Sequence, residues 1–393
     1  SILYLHTLGV WYLLCNSLGI SVSILYIQQV LLYQISFLLH HYLFDVRQKN
    51  IKTELGYSSD FWKTFADLGW LGMPFSEADG GYNGGPIDLM VIMESLGRGL
   101  VVEPYIPNVV LAGGLVSRLG SEEQKTELLP KIISGEIQMS VAFSEPQSRF
   151  DLNDVITSAK KDGDNYILDG YKAVVMNGPS SNSIVVVART SGNQLDKEGL
   201  SLFIVDPSSK GVSLRNYSNV DGSKASEITL ENVSTPMSSL LGNEGDAFSA
   251  LEEVIDLATL AISAEAVGIM EKMNEITLEY TKTREQFGET LSSFQALQHR
   301  MVDTFMAYEQ TKSLLLMCAA KLTDKSDDAK KAVSALKYQV GIAAKHVGEE
   351  SVQLHGGMGV TDETNIGHYF KRLTTIRAIF GNTDYHLKRY SAL

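Results

Sequence analysis

In the C-terminal third of this 393-residue chain, an arginine, several side-chain amides and a glycine turn are spaced as a dinucleotide grip needs them. Thr283-Arg284-Glu285-Gln286-Phe287-Gly288 is followed by Phe294-Gln295 and then by Gln353-Leu354-His355-Gly356-Gly357-Met358-Gly359. A guanidinium pairs two phosphate oxygens at once, amides suit an adenosine, and glycine lets backbone N–H groups come close to a pyrophosphate. Taken singly, a His-Gly-Gly turn is more often a helix stop, because glycine ends many helices. The combination, in order and with the rest of the chain, is what favours the grip.

These residues must be carried by elements, and the sequence changes texture twice. In the first part helical signals dominate: Phe61, Phe65 and Leu68 keep one apolar face, and Leu89, Ile92, Met93 and Leu96 recur at helical spacing. Glu94 and Arg98 stand at (i, i+4), the spacing of a solvated ion pair. Short β-branched runs follow, Ile184 to Ala188, Leu202 to Val205 and Glu227 to Leu230, separated by turns such as Asp162-Gly163-Asp164-Asn165. Long helical stripes then return, one through Leu251, Val254, Ala258, Ala261, Glu265 and Ile269, another through Val333, Leu336, Val340, Ala343 and Val347. The expected fold is α+β. It comprises an atypical apolar segment over 1–26, an N-terminal α-helical domain over 27–136, a middle antiparallel β domain over 137–236 and a C-terminal four-helix bundle over 237–393.

Composition bounds the function. With 44% hydrophobic and 20% charged residues the chain reads as globular, and its length exceeds what one core serves. A net charge of −13 argues against nucleic acid as a partner, so any anionic ligand must meet a local basic pocket. Two cysteines far apart, Cys15 and Cys318, and eight unclustered histidines predict neither a disulfide framework nor a metal site.

Ser1 to Phe44 carries no Asp, Glu, Lys or Arg. The run is long enough for one membrane span or a short hairpin of two. A secretory signal would have a positive n-region, absent here. Two other accounts are a buried helix and a start in the wrong reading frame. Gln28, Gln29, Gln34 and Asn16 would be expensive in lipid, so no membrane attachment and a cytoplasmic location are expected.

From about Asp60 onward the chain resembles the acyl-CoA dehydrogenase family of flavoenzymes. The likeness is carried by Leu68-Gly69-Trp70-Leu71-Gly72-Met73-Pro74, Gly120-Ser121-Glu122-Glu123-Gln124-Lys125, Ser144-Glu145-Pro146 and Asp169-Gly170-Tyr171-Lys172, together with the C-terminal segments above. Within the family, Gly199 to Asp206, Ala264-Glu265-Ala266-Val267-Gly268 and His368 to Thr374 are most similar to the small subunit of pimeloyl-CoA dehydrogenase and its relatives, which work beside a large partner.

The resemblance implies FAD-dependent dehydrogenation of an acyl-CoA thioester, with electrons passed to an electron-transfer flavoprotein. That chemistry needs a base for the α proton, donors for the enolate-like oxygen and an oxidised flavin for the β hydride. By resemblance, Arg284, Gln286, Phe287, Gln295, Gln353, Gly356 and Gly357 meet the pyrophosphate and adenine end of FAD, which in this family is held by a neighbouring subunit. At least a homodimer, a homotetramer or a heterotetramer with a large subunit is therefore implied. Phe143 and Ser144 match the flavin-bonding strand, Val174 and Met176 stand where a Trp and a Thr cover the flavin, and Thr383 closes a Phe380-Gly381-Asn382-Thr383 segment. The family's base, a Glu, reads as Gly381 here, and a second branch's Glu position reads as Ala258. Asp384 and Glu265 are the substitutes offered as base, each with a plain alternative: Asp384 as a first-turn acid and Glu265 as half of a buried ion pair. The competing function is a non-catalytic subunit that lends its adenosine grip to a partner's FAD.

Overall fold

The computed structural model describes residues 41–393. The expected apolar segment and the membrane question at residues 1–40 lie outside the described residues. No helix among the described residues is long and apolar enough to cross a membrane.

The first layer is helical: α1 (Phe44–Asn50), α2 (Ser59–Asp67), α3 (Pro86–Arg98), α4 (Gly114–Leu119) and α5 (Glu122–Ile133). Caps set the starts. Ser121 accepts from the Gln124 N–H at 3.2 Å while the Gln124 side chain accepts from the Ser121 N–H at 2.9 Å, a reciprocal box that opens α5. Between α3 and α4 the chain winds as a π-helix over Ile106–Gly113. The buried Asn108 side chain in that stretch accepts from Met139 N–H at 2.8 Å and donates to the Ile137 carbonyl at 3.2 Å, which fixes the entry into the sheet.

Eight strands form the middle layer: β1 (Met139–Ala142), β2 (Ser158–Asp162), β3 (Asn165–Met176), β4 (Ser183–Arg189), β5 (Leu200–Val205), β6 (Val212–Ser218), β7 (Lys224–Pro236) and β8 (Leu240–Leu241), seven of them in the order β6-β7-β3-β2-β4-β5-β8 and β1 off that path beside β4. The sheet is not purely antiparallel as expected: β1 runs parallel to β4, with Val141 beside Val185, because a whole hairpin, β2 and β3, lies between them in the chain. Along β4, Val185 and Val187 join the core shared with the helices, whereas Ile184 and Val186 join a second core on the other face. The period of two thus buries this strand on both sides.

Three long helices follow, α6 (Phe248–Thr283), α7 (Gln295–Thr323) and α8 (Ala329–His355), with the shorter α9 (Ile366–Ile376) and α10 (Thr383–Ala392) packed against α8. Both apolar stripes read from the sequence are buried along their length. With 36 residues, α6 is about 54 Å long. It crosses α3 at backbone contact: a Cβ on Gly97 would lie 2.1 Å from the Glu265 carbonyl oxygen, and one on Gly268 2.0 Å from that of Glu94. The expected Glu94–Arg98 pair does not form. Glu94 binds Lys312 at 2.9 Å and Arg98 binds Glu271 at 2.5 Å, because the neighbouring helices offer partners at this close crossing.

Candidate functional site

Where the sheet, the N-terminal helices and α6 meet, they enclose a cavity of about 470 Å³. Its α6 wall runs from Ile255 through Ile262 to Glu265, ten residues or roughly 15 Å. The sheet contributes Phe143, Ser144, Val174 and Met176, so four of the expected cofactor residues meet in one place. Opposite them stand Phe380, stacked on Phe143 at 6.4 Å, and Tyr385, packed on Phe150 at 5.5 Å.

Local structure explains how the sheet residues are presented. The Ser144 carbonyl accepts from the Ala173 N–H at 2.9 Å. Behind it, Glu145 and Lys172 form a fully buried pair at 2.5 Å. Burial alone would raise Glu145, but the Lys172 ammonium and the chain at Ile156 and Thr157 outweigh it and hold this carboxyl down at about 2. The register of β3 on β7 slips between Lys172 and Val175, and the bulge leaves Val174 at φ +53°. A β-branched residue is costly in that region, so the strain is held by its surroundings. Val174 is nonetheless 54% exposed at the cavity wall, an apolar face that a flat ring would cover. The residues present therefore fit the ring of a flavin.

Neither offered base is both unpaired and inside the cavity. Asp384 is exposed in the first turn of α10, whose N-cap Asn382 accepts from the Tyr385 N–H at 2.9 Å, and it does not line the cavity. Thr383 opens the same helix against Gly341 and is likewise outside the cavity wall. Glu265 does line it, but both its oxygens are taken by Arg372, at 2.5 and 2.8 Å, and Arg372 also binds Asp221 at 2.9 Å. Although burial disfavours the Arg372 charge, these two carboxylates raise its pKa further, so the guanidinium stays charged and Glu265 stays committed. The plain alternative for each residue is the one the geometry supports.

At Gly381, where the resemblance would put the family's base, the structure leaves a side chain little room. The backbone there has φ +113°, and a Cβ would meet Tyr385 Cδ1 at 2.5 Å and His386 Nε2 at 2.6 Å. The loop is fastened from below, since His386 Nε2 donates to the Phe380 carbonyl at 2.9 Å and Lys337 Nζ donates to the Gly381 carbonyl at 2.8 Å. Burial pushes Lys337 down to about 7, with Arg377 adding to it, and burial next to Lys337 pushes His386 down to about 3. Ala258, at the second branch's position, is fully buried.

Sequence reasoning missed other charged groups of the cavity lining. Arg47, Glu103, Asp221 and Lys224 line it together with Glu265 and Arg372. Arg47 donates to the Leu100 and Asp221 carbonyls at 2.9 and 2.8 Å, and burial lowers its pKa. Glu103 accepts from the Ser58 N–H at 3.3 Å, and burial pushes its carboxyl up to about 7 against the lowering influence of the Tyr42 hydroxyl. A signal was present: Glu103 is the one charged residue between Arg98 and Arg118.

The remaining cofactor residues gather elsewhere. Arg284 ends α6, and Gln286 and Phe287 lie in a two-stranded hairpin (Glu285–Gln286 with Glu289–Thr290) leading to Gln295 at the start of α7. Tyr280 stacks on His355 at 4.3 Å and donates to its carbonyl at 3.3 Å, which brings Gln353, Gly356 and Gly357 to the same end of the bundle. All seven are exposed, Phe287 by 93%. Along α6 this cluster begins with Arg284, 19 residues or about 28 Å beyond Glu265. Among the described residues no group of His, Cys, Asp or Glu could hold a metal ion.

Comparison with known proteins agrees with this architecture. Residues 43–136, 140–233 and 245–392 match the N-terminal, middle and C-terminal domains of acyl-CoA dehydrogenase. The chain belongs to the acyl-CoA dehydrogenase family. It is 31% identical to probable acyl-CoA dehydrogenase YngJ of Bacillus subtilis over 77% of this chain and 81% of that protein. It is 28% identical to the caffeyl-CoA reductase-Etf complex subunit CarC of Acetobacterium woodii over 83% and 89%. Among solved structures, a variant of the Tcur3481-Tcur3483 steroid ACAD superposes with a TM-score of 0.83 at 28% identity, covering 93% of this chain and 96% of that one. The ChsE4-ChsE5 complex from Mycobacterium tuberculosis shares the fold at a TM-score of 0.84 and 23% identity, with the same coverage. Structural neighbours in this family are FAD flavoproteins, and one is solved as the FAD complex of PigA, with a TM-score of 0.85, 24% identity and coverage of 93% and 96%.

Proposed function

We propose that this chain is the FAD-gripping, non-catalytic subunit of a hetero-oligomeric acyl-CoA dehydrogenase whose larger partner supplies the base. The observation that carries the reading is the closed Gly381 position, occupied by Tyr385 and His386, with the candidate carboxylates either paired or outside the cavity. When bound, oxidised FAD takes the β hydride of an acyl thioester. This chain's share is to hold the pyrophosphate and adenine end through Arg284, Gln353 and the open Gly356-Gly357 turn, where a Cβ would meet nothing within 4 Å. An assembly face is available nearby. Along α7, Val302, Phe305, Met306, Leu316 and Met317 are exposed at helical spacing, an apolar stripe of the kind that monomers rarely leave uncovered. The likeness to the pimeloyl-CoA dehydrogenase small subunit fits this role, as do relatives whose names record a two-component complex and an Etf complex.

A second reading, a dehydrogenase active alone and passing electrons to an electron-transfer flavoprotein, is favoured by the retained ring-side wall of Phe143, Ser144, Val174 and Met176. One experiment separates the two. The purified chain, alone and with its partner, is titrated anaerobically with acyl-CoA thioesters while the flavin spectrum is followed. Bleaching only with the partner supports the subunit role; bleaching by the chain alone sinks it.

A further inference from the structure

Eight charged residues line the cavity, four of each sign, so net charge selects nothing and what matters is which groups are already committed. Arg372 is held by Glu265 and Asp221, and Arg47 donates to the Leu100 and Asp221 carbonyls. Lys224 donates to the Ser218 hydroxyl at 2.8 Å, while Glu103 is bound by the Ser58 N–H and the Tyr42 hydroxyl. Arg149 and Asp151 remain. Both are exposed, which puts them at the opening of the cavity, and they form no ion pair with each other. Asp151 bears instead on the Tyr385 hydroxyl, which burial raises, Arg389 lowers and Asp151 raises again. The Arg149 side chain has no hydrogen bond, ion pair or ring contact among the described residues.

The backbone at Arg149 carries a second signal. It holds φ +49°, the left-handed region that is costly for a residue with a side chain. Among the described residues six other than glycine and asparagine share that region, and four of them, Leu100, Arg149, Val174 and Phe380, line this cavity. Three have contacts of their own: the Leu100 carbonyl accepts from Arg47, Val174 belongs to the β3 bulge, and Phe380 stacks on Phe143. Arg149 holds the strain with its side chain touching no partner. The turn beneath it is firm, since the Asp151 N–H donates to the Ser148 carbonyl at 2.8 Å and the buried Ser148 hydroxyl donates to the Glu145 carbonyl at 2.9 Å.

We propose that Arg149 is a phosphate-binding residue at the opening of the cavity, its guanidinium pairing two oxygens of a pyrophosphate that belongs to FAD or to a CoA thioester. The inference rests on the ligands of the function proposed above and is indifferent to which subunit does the chemistry. A guanidinium fork matches phosphate oxygens in pairs. The middle of the cavity, walled by Met93, Leu96, Leu152 and Ile262, suits the apolar part of such a ligand, so its charged part stays at the opening, where water is near and Arg149 is free.

Isothermal titration of the full chain compares octanoyl-CoA with octanoyl-pantetheine and FAD with riboflavin; the second of each pair lacks the pyrophosphate. In Arg149→Gly the pyrophosphate-bearing member of one pair is expected to bind about tenfold more weakly or worse, with its phosphate-free analogue unchanged. The pair that responds names the source. Arg149→Lys, which keeps the charge without the fork, falls between. Glycine takes a positive φ without strain, so the urea midpoint of Arg149→Gly is expected to hold or rise, and a damaged fold does not imitate the result. Unchanged binding of both octanoyl-CoA and FAD in Arg149→Gly, or an equal loss for the phosphate-free analogues, overturns the inference and leaves the acyl-CoA reading standing. A wild-type chain that binds neither octanoyl-CoA nor FAD loses both.

Discussion

Replacing Gly381 by glutamate puts a carboxylate where the resemblance would place the family's base, and the structure argues that no activity will follow. The new Cβ would lie 2.5 Å from the Tyr385 ring and 2.6 Å from His386 Nε2, at a φ of +113° that side chains rarely adopt. Holding a non-glycine residue there costs about 1–3 kcal/mol. Forcing atoms into a filled space costs about 1–3 kcal/mol more. The sum, about 2–6 kcal/mol, is a large share of the roughly 5–15 kcal/mol typical of a folded domain. Urea denaturation followed by circular dichroism reads this loss directly, and anaerobic titration with acyl-CoA reads any gain of flavin bleaching. Gly381→Ala serves as control: it carries the same Cβ without the carboxylate and is expected to lose most of the same stability. Gly381→Glu that keeps the wild-type denaturation midpoint and bleaches flavin would refute the claim that the position is closed.

Three further outcomes are expected. Glu265→Gln strips Arg372 of a bidentate partner inside the protein and should cost about 3–5 kcal/mol in urea denaturation, whereas an unchanged midpoint would mean the pair is not structural. Arg284→Ala should leave that midpoint alone, since the side chain is exposed, and weaken FAD retention by the assembled oligomer about tenfold or more, measured by flavin release on dilution. Glu145 titrates at about 2 in the folded chain against an ordinary 4.5, so its contribution is complete above pH 4.5 and fades as pH falls toward 2. The urea midpoint should therefore drop across that window in the wild type, and Lys172→Met should lack most of the drop.

What could be read from sequence was what repeats locally. The stripes through Leu251 to Ile269 and Val333 to Val347 announce buried helix faces because a period of 3.6 returns them to one side, and they are buried. The first-turn place of Asp384 followed from the liking of acids for helix starts. Pairings between distant parts were illegible. Arg372 meets Glu265 across 107 positions and Asp221 across 151, and no local rule reports such a meeting. The Glu94 and Arg98 spacing misled for the same reason, because partners on α6 and α7 outcompete a neighbour on the same helix. The closure at Gly381 was visible only as a missing glutamate; that Tyr385 and His386 fill the space required coordinates.

One continuous rod joins the two functional ends of this molecule. Ile255 and Glu265 on α6 form the cavity wall, and the same helix runs without a break to Thr283, where the hairpin with Arg284 begins. The helix thus works as a ruler and a protractor: it fixes both the spacing and the angle between what this chain encloses and what it offers to a neighbour. Inserting a single residue between Met270 and Thr277 would advance the hairpin by about 1.5 Å and rotate it by about 100°. Each end would still be made of the same residues, but they would no longer face the directions that the proposed assembly requires.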